Sequence, residues 1–122
     1  MVRESSDILL MDNPVVAAAL RHIWRHYADP SLGVPQVVAA SGTSKSSLCR
    51  LFPKHLGRSI AKQIEHRRIE RVKELLRWTD APAEPIAKAC GFRDAHHLRR
   101  RFRTVEGMGP QLWRTAARRQ RG

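Results

Sequence analysis

Apolar positions recur at helical spacing along most of the chain. Val16, Leu20, Ile23, Trp24 and Tyr27 mark one face of a first helix, which Asn13 caps, Pro14 opens and Asp29-Pro30 ends. A second helix is predicted from about Val34 to Ala40. A third follows the turn at Gly42 and a cap at Ser44, with Leu48, Leu51 and Phe52 facing inward. Pro53 should end or kink that helix a turn early, because proline lacks an amide hydrogen and crowds the preceding turn. Ser59 caps a long helix reaching about Arg77, with Ile60, Ile64, Ile69, Val72, Leu75 and Leu76 on its apolar side. At about 1.5 Å per residue, roughly nineteen residues span nearly 30 Å. Pro82 and Pro85 place the start of the next helix near Glu84. Ile86, Ala87 and Cys90 form its stripe, Gly91 turns the chain, Asp94 caps the following helix, and Leu98 and Phe102 bury it. A short last helix follows Gly109-Pro110, with Trp113 packing it back. The fold class is all-α, with about seven helices.

One pattern occurs twice. Val37 to Gly42 match Ile86 to Gly91 at an offset of 49, and Ser44, Arg50, Phe52 and Gly57 match Asp94, Arg100, Phe102 and Gly107 at an offset of 50. The extra residue falls in a turn, where a change of length is cheapest. Two helix-turn-helix units joined by the long helix are expected. In each, the helix after the turn sets a polar, basic face over its buried stripe, the arrangement that presents a reading helix to DNA.

The run IAKACGF, followed by Leu98, Arg100, Phe102, Gly107, Pro110 and Trp113-Arg114, resembles the signature of the AraC/XylS transcription regulators. The resemblance extends over most of the chain and implies a seven-helix DNA-binding domain over residues 13–118. Its first helix-turn-helix unit would be 13–57, its linker helix 58–78 and its second unit 79–118. Pro53 departs from the family, which usually has a polar residue there. The stretch DNPVVAAALRHIWRH, preceded by SSDILLMD, is similar to the start of this domain in the xylose-operon branch. Members of that branch carry a sugar sensor like a periplasmic binding protein upstream. Residues 1–12 then read as a linker from a missing sensor, and Arg118 onward, through 119–122, as a frayed basic tail. The implied partners are double-stranded DNA and, in a full-length protein, a small-sugar effector on a separate domain. RNA polymerase is a further candidate. The implied location is the cytoplasm.

By position, the resemblance puts Ser46, Cys49 and Arg50 of the third helix at base-reading sites, and His96, His97 and Arg100 of the sixth. Arginine can donate a bidentate pair to guanine, and serine pairs with several bases. Cys49 is open to a second reading, as a half-buried packing residue. Lys45, Ser47, Arg99 and Arg103 suit phosphate contacts, and Arg101 would lie along the core edge. On the long helix Arg67 is a backbone candidate, whereas Arg68 reads as structural and Arg71 has Glu74 nearby. Adjacent histidines such as His96 and His97 point about 100° apart on a helix, with no third ligand near, so no metal is expected.

Charge sharpens this picture. The 122 residues carry a formal net charge of +12. Residues 1–42 hold three basic and four acidic side chains, giving −1. Residues 43–122 hold the other 20 and 7, giving +13. A polyanion partner is implied. A basic membrane-surface helix would give the same charge, but arginine interleaved with buried leucine and phenylalanine over several helices argues against it. Cys49 and Cys90 form no CxxC and are expected as reduced thiols, and no cofactor is expected. A thiol-dependent enzyme is the rival from another class. It lacks a cysteine cluster, a triad, a phosphate loop or paired carboxylates, so the chain reads as no enzyme. A nonspecific RNA-binding protein would need exposed stacking aromatics, and all seven aromatics fall at core-like positions.

Overall fold

Asn13 closes the open end of the first helix: its Oδ1 accepts the amides of Val15 and Val16, each at 3.1 Å. The helix it starts, α1 (Pro14–His26), is followed by α2 (Val34–Ser41), α3 (Lys45–Leu56), α4 (Ile60–Trp78), α5 (Ala83–Ala89), α6 (Ala95–Glu106) and α7 (Pro110–Arg121). This computed structural model describes residues 13–121. The linker expected at 1–12 lies outside them, as does Gly122. Among the described residues every regular element is a helix, in agreement with the all-α expectation.

The described residues divide into two compact units, 13–27 with 31–65 and 28–30 with 66–121. In the first, Val16, Ala19 and Ile23 of α1 pack with Val37 of α2, Leu48 and Phe52 of α3, and Ile60 and Ile64 of α4. In the second, Ile69, Val72 and Leu76 of α4 pack with Ile86, Ala87, Cys90, Phe92, Leu98 and Phe102. Trp113 covers this core edge-on, its ring centre 6.1 Å from that of Phe102.

Several expectations are corrected. Trp24 is 58% exposed and Trp78 62%, so the aromatics are not all in cores. Ile23 is fully buried, and the next position on a helix points about 100° away, which turns Trp24 outward. Pro53 does not end α3, which runs on to Leu56. Proline withholds one amide, but its own carbonyl accepts the Gly57 N–H at 2.7 Å, and Gly57 at φ +77° closes the helix in the left-handed region. The last turn of α3 is also held from the cap of α1, where Asn13 Nδ2 lies 3.3 Å from His55 Nε2. Arg118 is not frayed. It sits within α7 and donates to Thr79 O at 2.6 Å, to Leu76 O and to Asp80 Oδ1.

Candidate nucleic-acid interface

The two turns are built alike. Gly42 at φ +80° and Gly91 at φ +91° adopt the left-handed backbone that side chains disfavour, and each is followed within a few residues by a capped helix. Ser44 Oγ accepts the Ser47 amide at 3.1 Å to start α3. Asp94 Oδ1 accepts the His97 amide at 2.8 Å to start α6. That backbone hydrogen bond is the main reason the Asp94 carboxyl is held below its usual range. The second turn has an extra fastening without a counterpart in the first: Glu84 Oε1 of α5 accepts the Ala95 amide at 3.0 Å. Pro35 stands at the matching position of the first unit.

The caps and the buried pairs Leu48–Phe52 and Leu98–Phe102 fix which way each helix faces. On α3, Lys45, Ser46, Cys49 and Arg50 are exposed and Ser47 is half-buried. Cys49 is therefore a surface thiol and not a half-buried packing residue. On α6, His96, Arg99, Arg100 and Arg103 are exposed, while His97 and Arg101 are half-buried.

The common register of the two helices sorts these residues. At an offset of 50, Ser46 pairs with His96, Cys49 with Arg99 and Arg50 with Arg100, all of them exposed. Ser47 pairs with His97, both half-buried. The His97 ring lies against its own turn, where Nδ1 accepts the Arg93 amide at 3.3 Å and the ring meets Phe92 edge-on, centres 5.3 Å apart. Burial, then the charges of Arg93 and Arg100, hold its pKa below the ordinary value. With Nδ1 accepting, the proton of the neutral ring sits on Nε2. Arg99 thus occupies the position equivalent to Cys49, a pairing already contained in the sequence offset.

The arginines of α4 divide by their partners. Arg68 Nη2 donates to Asp29 O at 2.9 Å, and Arg71 pairs with Glu74 at 2.9 Å. Lys73 bridges Glu70 at 3.2 Å and Glu106 at 2.8 Å. Arg67 is half-buried on the same helix. Among the described residues, no three or more histidine, cysteine or acidic side chains are grouped to hold a metal ion. No described helix is long and apolar enough to cross a membrane.

A family model described as a helix-turn-helix domain matches residues 37–116. The xylose operon regulatory protein of Haemophilus influenzae is 30% identical over 112 residues, covering 92% of this chain and 29% of the relative. The chain therefore spans less than a third of the length of that relative. The DNA-binding domain of the global transcriptional factor AdpA, solved with a target DNA, superposes with a TM-score of 0.79 at 25% identity, over 87% of this chain and 95% of that one. The xylose-binding transcription activator xylR superposes with a TM-score of 0.74 at 26% identity, over 85% of this chain and 27% of that one.

Proposed function

The chain belongs to the AraC-type helix-turn-helix family, and from that membership we propose that it is the DNA-binding part of a bacterial transcription regulator of sugar-utilisation genes. The observation that carries this reading is the duplicated helix, α3 and α6, each capped, anchored by a buried leucine and phenylalanine, and exposing basic and polar side chains at matched positions. In this reading each unit takes one major-groove segment, and the two segments are adjacent. Arg50 and Arg100 supply bidentate guanine recognition, with Ser46, Cys49 and His96 beside them. Arg99, expected on phosphate, stands at the position equivalent to Cys49 and in this reading shares the edge facing the bases, and His97 offers Nε2–H from a ring braced on the turn. Lys45, Ser47, Arg67 and Arg103 hold phosphate. The functional domain is residues 13–118, with units at 13–57 and 79–118 around the linker helix 58–78.

The sugar-responsive role follows the xylose-operon relatives, and the effector would bind a separate domain. RNA polymerase is a further partner in this proposal, the setting is the cytoplasm, and the function needs no enzymatic step. Hydroxyl-radical footprinting tests it. The isolated chain should protect two patches about ten base pairs apart on one face of its operator. A single patch, or protection only as a palindromic pair of copies, rejects it. RNA competing as well as specific duplex DNA also rejects it.

A further inference from the structure

α1 carries chemistry that DNA binding does not use. His22 and His26 stand four residues apart near its carboxyl end, so one helical turn brings them onto the same face. Their ring centres are 4.4 Å apart, with planes tilted by 38°. His26 is exposed and His22 half-buried, so both rings can be reached from solvent.

That separation can be set against the spacing a shared ion would impose. An imidazole nitrogen binds a divalent transition metal at about 2.0–2.1 Å, which puts the ring centre roughly 3.2 Å from the ion. Two such rings at a right angle then have centres about 4.5 Å apart, and two at the tetrahedral angle about 5.2 Å. The 4.4 Å observed falls on the right-angle value. We propose that His22 and His26 form a cis bis-imidazole site for a borderline divalent ion with right-angle coordination, copper(II) before nickel(II).

The surroundings fit a small, exchangeable site. The negative end of the α1 dipole favours a cation there. Arg21 and Arg25 oppose it, but both are exposed and their repulsion is screened by salt. An imidazole binds a metal ion in its neutral form. Water completes the coordination, since no third such ligand is grouped with the pair among the described residues. His96 and His97 cannot do the same. They are adjacent, they diverge, and His97 Nδ1 already accepts the Arg93 amide. A bound ion would tie the last turn of α1 and bind the folded chain in preference to the unfolded one.

The test uses the tag-free chain. Copper(II) added well below one equivalent should broaden the ring-proton resonances of His22 and His26 before those of the other four histidines. Excess nickel(II) should raise the thermal midpoint where magnesium does not. His22→Gln and His26→Gln should each weaken nickel binding by at least about tenfold, with the helical circular dichroism of the parent. The site is refuted if His96 or His97 broadens first, if either variant keeps the parent affinity, or if nickel leaves the midpoint unchanged.

Discussion

Arg118 Nη2 donates to the carbonyl oxygen of Thr79 across 2.6 Å, linking the last helix to the residue that follows α4. The same oxygen accepts from Arg114 Nη2 at 3.0 Å. Arg114 also donates to Leu76 O at 2.9 Å and Ala81 O at 2.8 Å. A helix end leaves its last carbonyls without amide partners, and here two guanidinium groups supply donors and positive charge together. Arg114→Ala should therefore destabilise the chain by about 2–3 kcal/mol in urea unfolding, the scale of hydrogen bonds from a charged donor. Arg114→Lys should recover only part of that, because an ammonium group cannot reproduce the fork. Parent-like stability of Arg114→Ala would show these bonds to be dispensable.

On a specific operator, Arg50→Ala and Arg100→Ala should each cost about 1–3 kcal/mol and relax preference at one base pair. Arg103→Ala should weaken all sequences alike. Binding of Arg100→Ala at parent strength would remove α6 from base reading.

The excess of positive charge beyond residue 42 predicts steep salt dependence. With roughly six phosphates neutralised, log K should fall by about five per decade of salt. A slope near −1, measured by fluorescence anisotropy, would be incompatible with a phosphate-anchored interface.

The two thiols should separate cleanly. Burial pushes Cys90 up to about 11, and it is fully enclosed, whereas Cys49 is exposed on the face of α3. One thiol should react with a maleimide in the native chain at neutral pH, and operator DNA should protect it. Labelling of Cys49 at the same rate with and without DNA would take it out of the interface.

His97 predicts acid sensitivity. Its folded pKa lies below the ordinary 6.5, so the unfolded chain binds more protons between the two values. The contribution is fully present above 6.5 and is lost as the pH falls through the depressed folded value. Protonated, Nδ1 no longer accepts the Arg93 amide, and the turn before α6 loosens. His97→Gln should flatten this part of the stability profile, and an unchanged profile would assign the acid loss elsewhere, His22 being the other lowered histidine.

Much of the scaffold was legible because its signals are local. Asn13, Ser44 and Asp94 act on amides two or three residues away, and Gly42 and Gly91 express a backbone requirement of their own positions. The anchoring of Arg118 is not legible in the sequence because its partners are carbonyls about forty residues earlier, which no periodicity reports. The exposure of Trp24 is not legible either, because hydrophobic pattern alone does not say which of two neighbours on a helix turns inward. The ring of His97 bends back to its own turn, a choice of side-chain direction that residue type leaves open.

Glu84 and Asp94 place two carboxylates on the first amides of α6, whereas α3 starts on the neutral hydroxyl of Ser44 alone. The positive pole of α3 is left unmasked, and that of α6 is already spoken for. The arginines crowd the second helix and its turn, at Arg93, Arg99, Arg100, Arg101 and Arg103. The two units therefore offer an anion different anchors. In the proposed reading, the first unit adds the peptide amides at the start of α3 to its side-chain contacts. The second would rely on side chains, so substitutions among its arginines should change binding more than substitutions at the start of α3.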